Sequence, residues 1–186
     1  MYIVVGLGNP GTIYEKTRHN VGKLAVDFFD RNKINLDSVQ KKIKIIRIDT
    51  YMNQSGTAIS RHVRSLKSAN KLIVIYDDLD LPIGEIRISF NRGSGGHRGV
   101  ESIINSINSK SFIRIRIGIS PRTIGGKIKK ITGAQNVEKF ILGEFNSKEM
   151  QLLEKVFQDV QKAIQAIVEK GLSQSMNTFN STKNLN

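Results

Sequence analysis

Tyr2-Ile3-Val4-Val5-Gly6-Leu7-Gly8-Asn9-Pro10-Gly11 decides the fold. An apolar, β-branched run stops at a turn of glycines and one proline, which reads as a buried strand over residues 2–7 and a tight turn after it. Outward from there, Val21, Leu24, Ala25 and Phe28 have helical spacing, and Ile43, Ile45 and Ile48 form a strand-like run made basic by Lys41, Lys42, Lys44 and Arg47. Ala58, Ile59, Val63 and Leu66 mark a second helix. Residues 72–76 read as another buried strand, with residues 77–82 as the loop that follows. Ile86, Ile88 and Phe90 alternate as a strand, residues 93–99 make a glycine-rich loop, and Val100, Ile103, Ile104 and Ile107 predict a short helix. Ile113, Ile115, Ile117 and Ile119 alternate with Arg114, Arg116 and Gly118, the pattern of a half-buried strand. Residues 120–132, with Pro121, Gly125, Gly126 and three lysines, read as a mobile loop. A long helix follows Ser147 as N-cap, buries Leu153, Val156, Phe157, Val160, Ile164, Ile167 and Val168, and stops at Gly171. Residues 175–186 are polar and read as a frayed tail. Strands alternating with helices, with no repeat or linker, predict one α/β domain over residues 1–186: a mixed central sheet flanked by helices, with a long C-terminal helix.

Composition excludes several classes. With 39% hydrophobic residues the chain can bury a core, so disorder is not its main state. The longest apolar runs are far shorter than the roughly 20 residues of a membrane span, and no basic n-region precedes the first strand, which argues against a secretory signal. Cysteine is absent, which removes disulfides, thiol chemistry and Cys-based metal sites and fits a reducing compartment. The net charge is +13, and the whole excess falls in residues 1–132, while residues 133–186 are neutral overall. A polyanion is the natural partner, and nucleic acid is preferred to membrane because no basic amphipathic helix carries the excess.

The turn matches the G-x-G-x-x-G of dinucleotide folds, but that fingerprint needs a helix opening at the third glycine and an acidic residue about 20 positions on, at the end of the next strand. Asp27 and Asp30 fall in or just after a helical pattern instead, and Pro10 occupies a position where amides should face phosphate. His19 precedes an apolar helical face and reads either as a capping or surface imidazole or as an acid–base group. Asp77 ends a buried strand, where open α/β sheets place their sites, and can orient an imidazole. Asp77-Asp78-Leu79-Asp80 also reads as a solvated acidic turn or a cation site. Asn53 either caps the following helix or offers its amide to a carbonyl. The loop Gly93-Ser94-Gly95-Gly96-His97-Arg98-Gly99 can bring amides to an anion, but it lacks the ending of a P-loop.

Together these segments resemble bacterial peptidyl-tRNA hydrolase. The resemblance rests on Val5 to Gly11, Tyr14, Thr17-Arg18-His19-Asn20, Met52-Asn53-Gln54-Ser55-Gly56, Asp77 to Pro82, Gly95-Gly96-His97, Arg114 to Ile119 and Phe140-Ile141-Leu142-Gly143, in family order. It implies a cytoplasmic, monomeric esterase without metal, cofactor or obligate protein partner. That enzyme cleaves the ester between a peptide and the terminal ribose of tRNA and recycles tRNA from aborted translation. His19 resembles its general base, Asp77 the orienting carboxylate, and Asn9 the residue that discriminates N-blocked from free aminoacyl groups. Tyr14, Tyr51, Met52, Asn53, His97 and Arg98 fall at positions around the tRNA 3′ end, and Arg116 resembles half of a clamp on the tRNA 5′-phosphate of the acceptor stem. Three features depart from the family pattern. The stretch between Asn20 and Tyr51 is short, Ser89 stands at the clamp's lysine position with Arg87 or Arg92 as substitutes, and Arg98 stands where the family has Asn. The rival class is a non-catalytic RNA-binding module, disfavoured by an aromatic content of only 6%.

Overall fold

The computed structural model describes residues 1–32 and 37–181. Five strands form one sheet: β1 (Tyr2–Gly6), β2 (Ile43–Ile46), β3 (Leu72–Pro82), β4 (Ile86–Phe90) and β5 (Ile113–Ser120). Their spatial order is β2-β1-β3-β5-β4, with β4 antiparallel to β5 and the other pairs parallel. Buried parallel strands demand apolar side chains on both faces, and β1 and β3 supply them. Val4, Ile73 and Ile75 join one core, while Ile3, Val5, Val74 and Tyr76 join the other. The first core is closed by α1 (Val21–Asn32) and α7 (Ser147–Lys170), through residues such as Phe29, Leu153 and Ile164. The second is closed by α3 (Ser55–Ser60) and α5 (Arg98–Ile107), through Ile59, Val100 and Ile103. Two short helices, α2 (Asp37–Gln40) and α4 (Leu66–Ala69), complete the N-terminal part. The helices α6 (Ala134–Ile141) and α8 (Leu172–Ser181) flank α7 in sequence. Among the described residues no helix is long and apolar enough to cross a membrane.

The structure corrects several expectations. Residues 77–82 are not a loop after a strand: β3 runs on to Pro82, paired with β5, with its register broken between Asp78 and Pro82. The helix expected across Ala58 to Leu66 is two pieces, because Ser65 starts α4 with its own capping box to Ser68, leaving Leu66 exposed. β5 is buried along its whole length, because its two arginines lie under other parts of the chain. The α7 cap is Asn146, one residue before Ser147, in a reciprocal pair with Glu149. Residues 175–181 are no frayed tail. They belong to α8, where Met176 and Phe179 pack on the first core and the Asn180 amide bonds to both the N–H and the C=O of Ile88, each at 2.9 Å. That pairing covers the open edge of β4, which would otherwise present free backbone groups. Residues 182–186 lie outside the described ones.

No long helix opens at Gly11. A 3-10 turn follows it, and α1 begins ten residues later at Val21, so the dinucleotide reading fails on geometry. Gly22 lets α1 lie directly on the sheet. A Cβ there would overlap the carbonyl of Ile75 and come within 2.8 Å of Leu7 N. Overpacking of this kind costs about 1–3 kcal/mol. Gly22→Ala is expected to lower the free energy of unfolding by at least that amount in urea titration, and an unshifted midpoint would contradict the packing.

Candidate active site

The C-terminal ends of β1 and β3 and the start of α5 surround a groove of about 890 Å³. Its centre is Asp77, 4% exposed, on the buried part of β3. Two imidazoles reach it from different elements. His19 lies in a 3-10 turn (Arg18–Asn20) that leads into α1, and its Nδ1 is 2.9 and 3.0 Å from the two carboxylate oxygens. His97 caps the N-terminus of α5, and its Nε2 is 3.0 Å from Oδ1 of the same carboxylate. The Val100 N–H donates to His97 Nδ1 at 3.3 Å. A nitrogen that accepts carries no proton, so the His97 proton sits on Nε2 and donates to Asp77. Asp77 takes the Nδ1 proton of His19 in the same way. The His19 Nε2 is left with its lone pair, without a protein partner among the described residues, on the wall of the groove.

Burial opposes charge on both members of the pair. For Asp77 the two imidazoles, by charge and hydrogen bond, override burial and hold the carboxyl well below the usual carboxylate range. For His19 burial disfavours the imidazolium, but the adjacent Asp77 carboxylate and its hydrogen bond outweigh burial and a smaller opposing push from Arg98, so the pKa rises above 6.5. Tyr76, whose ring meets His97 edge-on at 4.8 Å, is pushed up to about 12 by burial and remains a phenol.

Asn9 is held from three sides. Its backbone N–H donates to Asn20 Oδ1 at 2.8 Å, and its carbonyl accepts from Asn20 Nδ2 at 2.9 Å. Its side-chain Oδ1 accepts from the Met52 N–H at 2.9 Å. The amide is thereby oriented, with its NH₂ left to donate. Tyr14, Tyr51, Asn53 and Arg98 also line the groove. Asn53 is exposed and makes no capping bond, since α3 has no side-chain cap. Met52 is buried and contributes mainly its N–H. Arg116 is buried at the far end and donates to Asp78 at 2.8 Å. Thus the ten candidate site residues line one groove, whereas Ser89 and Arg87 of the expected clamp lie outside its lining.

Three features were not foreseen. His97 is bound to the central carboxylate rather than free for a ligand. Asn20 is the residue that fixes Asn9. The far wall comes from α6 and its end, through Val137, Ile141 and Leu142. The place of Asn20 directly after His19 was the available signal, whereas the pairing of His97 with Asp77 joins residues 20 apart across two elements.

The His19 Nδ1, an Asp77 oxygen and the His97 Nε2 lie within 4.8 Å of one another, a donor set that suits a divalent ion. Here both nitrogens already bond the carboxylate, and an ion would have to displace both bonds. At the far end, Arg87, Arg92, Arg116 and Arg122 line a second pocket of about 410 Å³.

Fold and groove together define a single-domain α/β enzyme with a mixed sheet. The sequence model of the family Peptidyl-tRNA hydrolase matches residues 3–186, and the chain belongs to that family. The peptidyl-tRNA hydrolase of Thermodesulfovibrio yellowstonii is 38% identical over 97% of this chain and 99% of its own length. That of Thermotoga maritima is 38% identical over 96% and 97%. The crystal structure of peptidyl-tRNA hydrolase from Acinetobacter baumannii matches with a TM-score of 0.77 at 25% identity, covering 97% of this chain and 95% of that one.

The coupling of His19 to Asp77 has a sign. Removing the carboxylate removes what raises the imidazole, so Asp77→Asn is expected to bring the His19 midpoint down in an NMR titration. An unchanged midpoint would show that the two groups are independent.

Proposed function

We propose that the chain hydrolyses the ester joining a peptide, or an N-blocked aminoacyl group, to the 3′ ribose of tRNA, with water activated by His19. The observation that carries this reading is the bound Nδ1 and free Nε2 of His19. Ester hydrolysis needs a base near pH 7 and donors for the developing oxyanion. In the proposed reaction Nε2 takes a proton from water as its oxygen bonds to the ester carbon. The Asn9 NH₂ donates to the carbonyl oxygen, which gains the charge, and Asn53 is a second donor. The bond to the ribose oxygen then breaks, and the imidazolium returns the proton to that oxygen. Asp77 holds the ring and stays ionised throughout. No cysteine exists, and no G-x-S-x-G elbow supplies a serine nucleophile. We propose no metal or cofactor for this step. A free base on the groove wall favours this reading over a non-catalytic RNA-binding module.

The rest of the groove fits the tRNA end. Tyr51 is 55% exposed and Tyr14 lines the same groove, aromatic faces on which a terminal base can stack. The acceptor-stem phosphate belongs with the arginine-lined pocket. Ser89 does not fit the clamp, because it is buried opposite Arg114 in the β4–β5 register. Arg87 stands directly opposite Arg116 and is exposed, so it is the better second cation, with Arg92 beside them in the pocket. The family resemblance further supports a monomer working in the cytoplasm on peptidyl-tRNA from aborted translation, with no obligate protein partner.

Release of an acyl group from N-blocked aminoacyl-tRNA in the presence of EDTA tests the reading. Turnover is expected to persist with EDTA, and His19→Ala is expected to lower kcat by ~10²–10⁴ with the fold intact. Binding without turnover, or a His19→Ala enzyme of normal kcat, would refute it. Arg98 is expected to bind rather than catalyse. Arg98→Ala should raise KM for full tRNA by roughly 1–2 kcal/mol equivalent and reduce the salt dependence by about one contact, with kcat little changed. A collapse of kcat at saturating tRNA with the salt dependence intact would assign Arg98 to the chemical step instead.

A further inference from the structure

Arg18 precedes His19 and points away from the groove, into a site of its own. Its Nη2 lies 3.1 and 3.0 Å from the two oxygens of Glu149, in the first turn of α7. Its guanidinium carbon is 4.6 Å from the centre of the Phe140 ring and 5.3 Å from that of Phe145. The backbone makes the same connection. Arg18 N–H donates to the Gly143 carbonyl at 3.0 Å, Phe145 N–H donates to the Lys16 carbonyl at 3.1 Å, and Thr17 bridges Glu144. A Cβ at Gly143 would come within 3.0 Å of Arg18 Nη1, so the guanidinium packs directly against the backbone there. Glu149 also accepts from the N-cap Asn146 N–H at 2.8 Å, so one carboxylate serves both the helix cap and Arg18.

Phe140 lies on α6, whose end supplies Ile141 and Leu142 to the groove wall. The side chain of Arg18 therefore joins the turn that carries His19 to the wall facing the substrate, and anchors both on α7. We infer that Arg18 is a positioning residue for His19: held by Glu149 between Phe140 and Phe145, it fixes the base-bearing turn and the α6 wall as one body. The inference rests on the proposed role of His19 as base. A planar guanidinium can stack on two rings and bond a carboxylate at once, whereas a lysine ammonium is a compact point charge without a stacking plane. Misplacement by about 1 Å can cost on the order of 10²-fold in rate.

The test measures Arg18→Lys and Glu149→Gln, each below its melting temperature, against saturating N-blocked aminoacyl-tRNA. The charged and titratable groups facing His19 are Asp77, His97 and Arg98, and all stay in place in both variants. The expected result is a fall in kcat of roughly 10- to 100-fold, with KM changed less. The acid limb of the pH–rate profile should move to lower pH as the His19–Asp77 contact loosens. The double variant should be no worse than the more damaged single one, since both break the same link. A lowered melting temperature with unchanged kcat and unchanged acid limb would make Arg18 merely structural and overturn the inference. Glu149→Gln keeps the site's shape and carries the test if Arg18→Lys does not fold. Loss of turnover in His19→Ala beside normal Arg18→Lys and Glu149→Gln kinetics would overturn this inference alone. Normal turnover in His19→Ala would overturn the base reading beneath it.

Discussion

Asp77 accepts hydrogen bonds from two imidazoles, and the arrangement of the site depends on it. A buried carboxylate without partners would be neutralised or expelled. Taking a hydrogen-bond partner from a buried polar group costs about 1–3 kcal/mol, and more when the group is charged. Here the partners come from the turn before α1 and from the start of α5, so one carboxylate ties a helix from each face of the sheet to its central strand. The consequence is chemical as well as structural. With Nδ1 of His19 engaged, its Nε2 is the nitrogen available to the groove. With Nδ1 of His97 capping α5, its proton has one place to go.

The same face of the sheet changes character from one end to the other. Beside α3 and α5 it is apolar, through Val5, Val74 and Tyr76. Toward the β4 edge the register sets Tyr76, Arg116 and Arg87 in one row, with Val74, Arg114 and Ser89 in the next. Arg114 is fully buried, donates to the Gly93 carbonyl at 2.7 Å and stacks 4.4 Å from the centre of the Phe112 ring. Burial lowers its pKa. One arginine thus anchors the glycine-rich loop from below, while its neighbour Arg116 reaches the pocket floor. Four arginines of this basic part of the chain, Arg87, Arg92, Arg116 and Arg122, meet in one cavity there, with Asp80 and Glu85 also in its lining.

The sequence made much of this legible and hid the rest for physical reasons. β1, α1, β4 and α7 follow from apolar periodicity, because each buries one clear face or both. His19 and Asp77 stood out because chemistry-bearing residues sit at strand ends and turns, Asn9 was named only through the family resemblance, and all ten candidates line the groove. The extension of β3 through Asp77 to Pro82 was hidden by its three aspartates, whose polarity reads as loop. They are tolerated because they lie at the site end of the strand. The burial of β5 was hidden because alternating arginines look solvated unless a loop and an aspartate from elsewhere cover them. α8 was hidden by its polar composition, since only a few of its side chains, Met176, Phe179 and Asn180 among them, contact the sheet side. The second partner of Asp77 was hidden because it depends on where α5 begins.

The central claim is a proton inventory, and nitrogen NMR of the two imidazoles reads it directly. In the free protein, above the His19 midpoint, long-range proton–nitrogen correlations should show His19 protonated on Nδ1 with a bare Nε2, and His97 protonated on Nε2 with a bare Nδ1. Finding His19 protonated on Nε2 under those conditions would mean that Asp77 does not orient the ring, and the account of the site would fail.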